Sequence, residues 1–437
     1  MSEKKPVPVE KSIKRKKRRR RAKRILLSIL CALLAFFIIT TAIGMIGVKS
    51  NINKAEQFPA VDIPLKAENV SNGVWNIYSG NKDMKIVQLT DVHIGGGWLS
   101  TKKDSMAINA VAAMLSAERP DFVIVTGDIA YPVPFQSGTF NNKTGADVFA
   151  RLMEDLGIYW TMSFGNHDTE AYSYYSREEI TDFYSSGKFP HCLLQAGPED
   201  VDGSGNQVFN ICNNDGVIVR SLVLMDSHSY IDGDIFGVLW KYDNMHENQI
   251  EWYRETIASV KQKNAETVKA LDAAKAKANE RYVDSVPSSV FFHIPMTEYR
   301  DAWNEYIDNG RQDTEKVHFK YGSAGEKNMG IYSGIHEDEL YETMLELGST
   351  DSVFCGHDHL NNFSVVYNGI GLTYGMSVDY LAYIGIYKLG SQRGCTVLDI
   401  AADGAINWHA ENYYQDKYTS FYAKEPVEMQ DLDEVRT

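Results

Sequence analysis

The chain has 437 residues, 44% of them hydrophobic and 23% charged, which is typical of a folded globular protein and not of a disordered one. Its formal charge of −14 is unevenly distributed, because residues 1–24 carry +11 and the rest of the chain therefore carries −25. An acidic body argues against a broad nucleic-acid surface, which needs lysine and arginine to neutralise phosphates, although local basic pockets remain compatible with it.

An uncharged stretch of 24 residues runs from Ile25 to Val48. At ~1.5 Å per residue it can cross a hydrocarbon core of ~30 Å. The basic run before it favours a cytoplasmic N-terminus and a single-pass membrane protein whose body lies outside the cytoplasm. A cleaved signal peptide is the alternative, but its apolar region would be shorter and its cleavage site would be the weak Ala42-Ile43-Gly44. A nuclear-localisation signal is disfavoured, because the membrane segment follows the basic run directly.

From residue 85 onward, short apolar runs bounded by turn residues alternate at first with segments of helical periodicity, which is typical of a largely parallel sheet covered on both faces. Later runs at 363–368, 370–375 and 395–400, with Asn-Gly at 368–369, indicate antiparallel strands in a second, mixed sheet. The predicted organisation is a basic cytoplasmic tail (1–24), a transmembrane helix (25–48), a linker (49–83), an α/β domain (84–410) with a helical insertion at about 247–282, and a C-terminal tail (411–437).

Most metal-capable side chains of this domain come directly after a predicted strand. Because the carboxyl ends of strands in α/β sheets meet at one crevice, we expect these side chains to lie together. They offer oxygen and imidazole donors without thiolate, which suits Zn, Mn or Fe better than Mg or Ca, and their number fits two ions. Singly, each is more often a structural histidine or a turn. The predicted ligands are Asp91, His93, Asp128, Asn166, His293, His357 and His359.

These motifs, D-x-H (91–93), G-D (127–128), G-N-H-D (165–168), H (293) and G-H-x-H (356–359), resemble in type and order the calcineurin-like metallophosphoesterase superfamily. The resemblance covers about residues 84–400. It implies an α/β four-layer sandwich, in which two mixed sheets are flanked by helices, and a dinuclear centre of two divalent or mixed-valence transition metal ions. It also implies that Asp128 bridges the two ions, one held with Asp91, His93 and His359 and the other with Asn166, His293 and His357.

Residues 127–131, GDIAY, also resemble the GDxxY element of purple acid phosphatases, in which the tyrosine binds iron. Those enzymes usually have glycine where this chain has His93. We therefore expect His93 to be the ligand and Tyr131 to be a neighbouring packing residue, with a ligand role for Tyr131 left open. The runs LTDVHIG, FFHIP and GHDH are similar to a purple-acid-phosphatase-like branch with diverse substrates.

The predicted function is hydrolysis of a phosphate ester at a membrane, by attack of a metal-bridging hydroxide. His167 is placed to assist the leaving group, with Asp168 or another acid orienting it, although it could instead only hydrogen-bond a ligand loop. Asp358 is expected to face away from the metals. His228 is a weaker candidate for substrate binding.

A second hypothesis is a catalytically silent metal-binding sensor or scaffold with the same fold. Such a protein is expected to have lost ligands, and this chain has kept the whole set. The substrate stays open among monoesters, diesters, phospholipids, nucleotides and wall polymers, because loops and not metal ligands set specificity in such folds.

Overall fold

A computed structural model describes residues 9–234 and 236–434. Within these ranges, fourteen strands form two sheets. The strands are β1 Ala67–Ser71, β2 Val74–Tyr78, β3 Met84–Leu89, β4 Phe122–Thr126, β5 Trp160–Ser163, β6 Gln207–Cys212, β7 Ile218–Leu224, β8 Ser288–Phe291, β9 Val317–Tyr321, β10 Thr350–Cys355, β11 Ser364–Tyr367, β12 Ile370–Tyr374, β13 Gly394–Ile400 and β14 Ile406–Asn412.

The larger sheet has nine strands in the order β1-β2-β6-β7-β8-β10-β12-β11-β9, and the smaller has five in the order β14-β13-β3-β4-β5. Both are mixed. Strands β3, β4 and β5 are parallel neighbours, whereas β13 runs antiparallel to β3. In the larger sheet β7, β8, β10 and β12 are parallel, whereas β6 and β7 are antiparallel.

Helices cover the outer face of each sheet. They are α1 Val9–Ala55, α2 Thr101–Glu118, α3 Pro134–Ser137, α4 Asn142–Leu156, α5 Arg177–Ser185, α6 Glu247–Lys269, α7 Ala273–Asn279, α8 Arg281–Asp284, α9 Glu298–Asp308 and α10 Leu340–Leu347. The insertion predicted at about 247–282 corresponds to α6, α7 and the start of α8, so it is a broken helical hairpin and not one long helix.

Three apolar layers confirm the predicted sandwich. Along β4, Phe122 and Ile124 contribute to the layer between the two sheets, while Val123 and Val125 belong to the layer under α2 and α4. This alternation is what a strand buried on both faces requires. A third layer lies between the larger sheet and α6, α9 and α10. The order is therefore helices, sheet, sheet, helices.

The prediction that residues 49–83 form a linker is wrong for most of the segment. Helix α1 continues to Ala55 and packs against α2 and α4, and β1 and β2 form one edge of the larger sheet. Ile77 is fully buried between the sheets. The Asn72-Gly73 pair that joins β1 to β2, with Gly73 at φ +77°, is a hairpin signal that the sequence interpretation missed.

Residues 413–430 are not a free tail, contrary to the prediction for 411–437. Tyr413 and Tyr418 are buried in the layer outside the smaller sheet, and the Tyr418 hydroxyl donates to Glu118 Oε1 at 2.7 Å. Arg393 is paired with Glu425 at 2.9 Å. The aromatic residues of this segment show no strand or helix period, so the sequence alone does not indicate that they are buried.

The hairpin predicted around Asn368-Gly369 is present as β11 and β12, which pair antiparallel. It belongs to the larger sheet, apart from β3, β4 and β5, as predicted. The run at 395–400 does not join it there, because it is β13 of the smaller sheet, next to β3. Neither the length nor the polarity of a strand predicts which sheet it joins, because the sheet is determined by pairing between segments that are distant in sequence.

Candidate metal centre

Strand ends from both sheets meet at one place, and the predicted ligands all lie there. Asp91 and His93 follow β3, Asp128 follows β4 and Asn166 follows β5. From the larger sheet, His293 follows β8, and His357 and His359 follow β10.

Four of these residues form a compact buried group. Asp91, His93, Asp128 and His359 each offer one ligand atom, and these atoms all lie within 4.8 Å of one another. His93 Nε2 is 3.3 Å from Asp128 Oδ2, and His359 Nε2 is 3.3 Å from Asp91 Oδ1. The geometry can hold a metal ion among two carboxylates and two imidazoles.

A second group adjoins the first through Asp128. His293 Nε2 is 3.1 Å from Asp128 Oδ2 and 3.2 Å from Asn166 Oδ1, and His357 Nδ1 is 2.9 Å from the same amide oxygen. Asp128 Oδ2 therefore contacts the imidazoles of both His93 and His293.

The backbone is strained where it presents these side chains. Asp91, His93, Asp128 and His357 have φ values of 50°, 53°, 56° and 80°. This left-handed region costs roughly 1–2 kcal/mol for each non-glycine residue, so the surrounding structure must impose it. Backbone hydrogen bonds do so in part, with Asp91 N donating to Gly127 O and His93 N donating to Asp128 O. The bends turn successive side chains toward a common point.

Two glycines allow the strand ends to approach closely. A Cβ on Gly165 would overlap the Asp128 carboxylate and backbone, and one on Gly356 would overlap the Thr90 hydroxyl and approach Asp91 Oδ2. Only glycine leaves room for these contacts.

The donor set fits a cation on two observations. Asp91 Oδ1 is buried and has no hydrogen-bond donor, whereas its Oδ2 accepts from Thr90 Oγ1 and His357 N. An unsatisfied buried carboxylate oxygen is costly unless a cation binds it. Burial alone would lower the pKa of His293, but the carboxylates of Asp128 and Asp91 raise it to about 9. The carboxylates thus draw positive charge to the cluster.

Asp379 is a residue that the sequence interpretation missed. Its carboxylate lies 3.6 Å from His93 Nδ1 and 3.4 Å from His359 Nδ1, on the side of each ring away from the cluster. Burial opposes its ionisation, but the adjacent His93 and His359 hold its pKa below the ordinary value. Carboxylates in this position fix the orientation of ligand imidazoles. Val378 N donates to Thr90 O, which places the segment beside β3.

His167 lies beside the cluster with one edge accessible. Its backbone N–H donates to Asp128 Oδ1 at 2.8 Å, and its side chain is 24% exposed, whereas the rings of His93 and His293 are fully buried. His167 Nδ1 is 2.6 Å from Glu170 Oε1. The Nε2 side of the ring is therefore free to face a ligand in the cleft.

Glu170, and not Asp168, orients His167, which corrects the prediction for Asp168. The Asp168 carboxylate accepts backbone N–H bonds from Asp128, Ala130 and Gly165, all at 2.9 Å. Asp168 thus ties together the loops after β4 and β5. Burial and the charge of Asp128 raise its pKa to about 6. The sequence signal for Glu170 was its position three residues after His167.

The remaining candidates lie around the centre. The Tyr131 ring stacks on His93 with centroids 4.5 Å apart, and its hydroxyl donates to Gln136 Oε1 at 2.7 Å, which fits a packing neighbour. Asp358 points away from the cluster and accepts from the Tyr374 hydroxyl at 2.6 Å.

His228 lines an open cleft of about 670 Å³ that also includes Glu170 and Arg177. Its Nε2 is 2.8 Å from Gln249 Oε1 and its ring stacks on His246. Its substrate-binding role stays a prediction.

Fold and site together define a class of protein: an α/β sandwich with a buried Asp/His metal-binding cluster at converging strand ends. The calcineurin-like phosphoesterase family matches residues 84–361, more than half of the chain. The chain therefore belongs to the calcineurin-like phosphoesterase family, and the resemblance seen in its motifs is confirmed.

Two curated relatives agree with this assignment. Probable inactive purple acid phosphatase 28 of Arabidopsis thaliana is 24% identical over 68% of this chain and 71% of that protein. Phosphatase DCR2 of Saccharomyces cerevisiae is 30% identical over 67% of this chain and 47% of that protein. A dimetal phosphatase from Danio rerio superimposes with a TM-score of 0.46 at 12% identity, over 76% of this chain and 97% of that one.

Proposed function

We propose that this chain is a dinuclear-metal phosphoric ester hydrolase. The observation that carries the proposal is the Asp128 carboxylate, whose Oδ2 lies 3.3 Å from His93 Nε2 and 3.1 Å from His293 Nε2 and so is shared by the two groups of donors. Asp91, His93, His359 and Asp128 would hold one ion, and Asp128, Asn166, His293 and His357 the other. Mixed nitrogen and oxygen donors without thiolate favour Mn, Fe or Zn.

Two divalent cations at this site would neutralise phosphate oxygens and lower the pKa of a water molecule bound to them to near neutral. The protein supplies a proton on the leaving side. Burial lowers the pKa of His167, but Asp128 and the contact with Glu170 raise it above the ordinary value. The protonated ring would present Nε2–H to the departing oxygen while its backbone N–H stays on Asp128 Oδ1. The cleft lined by Glu170, Arg177 and Tyr230 would admit the ester.

The competing function is a catalytically silent metal-binding scaffold. It is favoured by one observation, the word "inactive" in the name of the Arabidopsis relative. The donor set opposes it, because each predicted ligand is retained and lies at the cluster.

Hydrolysis assays on the full-length chain separate these two functions. The protein is stripped of metal, reloaded with Mn, Fe or Zn, and assayed with an aryl phosphate monoester and the matching diester. We expect hydrolysis only after reloading, and the preferred ester reports the substrate class. Absence of hydrolysis with all three metals would leave the scaffold function.

Glu170→Gln tests the proposed leaving-group chemistry. The amide keeps a hydrogen-bond acceptor for His167 but removes the charge that favours its protonated form, so we expect kcat to fall about tenfold or more. The loss should be larger for an alkyl phosphate than for an aryl phosphate, because the alkoxide needs the proton more. Metal content should stay unchanged.

The matched control is Glu154→Gln. Glu154 makes the same kind of contact with His191, at 2.7 Å, beside Trp160 at the end of β5 away from the metal centre. Its loss should leave both esters unaffected. Equal losses for alkyl and aryl esters in Glu170→Gln would contradict a proton-donating His167.

We further propose that α1 anchors the protein in a membrane with its N-terminus in the cytoplasm. Within the described residues, it is the one helix long and apolar enough to cross a bilayer, and a signal sequence would pass the same test. The +11 charge of residues 1–24 favours the cytoplasmic side. The proposal is supported if the protein stays in the membrane fraction after alkaline extraction with residues 1–48 intact, and if protease added from outside reaches the body. A soluble chain that begins near residue 45 supports cleavage of a signal peptide.

A further inference from the structure

Exposed apolar side chains lie on loops that flank the metal centre. Phe135 is 92% exposed on α3, Trp240 is 67% exposed in the loop after β7, and Ile384 is 71% exposed in the loop after β12. Exposed apolar groups that cluster on one side of a protein mark a contact surface. We call the following residues the apolar rim: Phe135, Phe236, Val238, Leu239, Trp240 and Ile384.

One side of the rim is continuous with the apolar part of α1. A Cβ added to Gly44 would lie 3.5 Å from Trp98 N, and the Trp98 ring packs edge-on against Phe36 at 6.0 Å. Leu99 N in turn donates to Ser137 O in the short helix that carries Phe135. The body therefore packs directly on the membrane segment, without a spacer between them.

The packing fixes the level of the rim along α1. Gly44 precedes Val48, the end of the uncharged stretch, by four residues, or about 6 Å of helix. The Trp98 ring reaches from that level further into the stretch, toward Phe36. If α1 spans a membrane, the Trp98 backbone lies about 6 Å inside the end of the apolar stretch and its ring enters the bilayer. The loops beside Trp98 then lie at the membrane surface.

Residues next to the rim in the chain contact the metal centre on both sides. On the α3 side, Gln136 accepts from the Tyr131 hydroxyl and donates to Ala382 O, and the Tyr383 ring packs on His359 at 4.7 Å. The loop 231–241 is flanked on the other side by two tyrosines. Tyr230 accepts a hydrogen bond from Asn166, and Tyr242 packs edge-on against His357.

From this arrangement we infer that the substrate is a phosphate ester carried on a membrane lipid, and that the apolar rim seats the mouth of the metal centre on the bilayer that α1 crosses. This inference rests on the proposed hydrolase and membrane anchor. The occupant of the rim is lipid, because the rim continues the surface of the apolar helix. A headgroup phosphate would then reach the metals without leaving the membrane.

The test compares an ester that carries a lipid chain with a soluble one. Full-length, metal-loaded protein in phosphatidylcholine vesicles is assayed with an aryl phosphate that bears a hexadecyl chain and with the same aryl phosphate without the chain. Each is used as a monoester and as a diester. We expect Leu239→Ser with Trp240→Ser to lower kcat/KM for the chain-bearing ester by about tenfold or more, because apolar contact with the bilayer is lost. Hydrolysis of the soluble ester should change less than twofold.

Leu345→Ser is the matched control. Leu345 is an exposed leucine on α10, which precedes β10, whereas the metal centre lies at the other end of β10. It should change neither rate. Equal rates of wild type and the double variant on the chain-bearing ester would overturn the inference while leaving the hydrolase intact. No hydrolysis of either ester by wild type would overturn the proposed function and the lipid substrate with it.

A measurement without turnover tests the rim itself. Bromine-labelled lipids should quench a component of tryptophan fluorescence in wild type that is absent from Trp240→Phe. Identical quenching of the two proteins would show that the rim does not contact lipid.

Discussion

Asp128→Asn is expected to lower the rate of hydrolysis of an aryl phosphate by more than about 100-fold. Mutation of residues that only orient metal ligands already lowers metal affinity or activity by about 10- to 100-fold. The amide nitrogen cannot bind a cation, so the variant loses the one group that both sites share. Burial opposes ionisation of Asp128, but the nearby His293 and His167 hold its pKa well below the usual value, which keeps the carboxylate charged. Elemental analysis should show loss of metal from both sites.

Asp358→Asn is the control for this prediction. Asp358 lies between two predicted ligands in the sequence, yet its carboxylate accepts from Tyr374 and Tyr332 N on the side away from the cluster. Burial raises its pKa to about 7, so an amide resembles its neutral form. We expect less than tenfold loss. A larger loss here than in Asp128→Asn would contradict the assigned ligand set.

Gly165→Ala is expected to have the second-largest effect. The added methyl group would overlap the Asp128 carboxylate, whose displacement by even 1 Å would cost about 100-fold in rate. Overpacking also costs typically about 1–3 kcal/mol of stability. Metal content, kcat/KM and thermal unfolding of the variant measure these three consequences.

Gly310→Ala separates steric overlap from the general effect of replacing a glycine. Gly310 has φ +66° and no atom within 4 Å of an added Cβ, so the variant should cost roughly 1–2 kcal/mol through backbone strain and nothing in activity. If Gly165→Ala behaved like Gly310→Ala, the close approach of β5 to Asp128 would not matter for the site.

The sequence could predict which candidate ligands lie together because most of them are encoded locally. An apolar strand followed by a glycine and a polar residue is visible in one short window, as at Gly127-Asp128 and Gly165-Asn166, and parallel strands bring such windows together. The sandwich follows for the same reason, since strands such as β4 are buried at every position and apolar at all but the last.

The supporting residues could not be predicted, because their partners are distant in sequence. Asp379 lies 286 residues after His93 and acts only through the path of the segment beside Thr90. Tyr418 likewise belongs to the core only because α2 presents Glu118 to it. The periodicity of a sequence does not show such long-range contacts. The place of β1 and β2 in the larger sheet could not be predicted either, because β2 pairs with the distant strand β6.

The substrate class depends on the loops, where the local pattern is least informative. Loop 231–241 shows an apolar run at 236–240 without strand or helix period. Its meaning comes from its position beside Tyr230 and Tyr242, which contact Asn166 and His357, two adjacent members of the second donor group. A family shared with proteins named as phosphatases and as inactive phosphatases is consistent with function residing in these site-level details.

The central claim is most directly tested by the number of metal ions that one chain binds. The full-length protein, stripped and then reloaded with Mn, Fe or Zn, is dialysed and its metal content measured by elemental analysis. The arrangement around Asp128 predicts about two ions per chain for wild type and loss of both in Asp128→Asn. A wild-type chain that retains no ion with any of the three metals would contradict it.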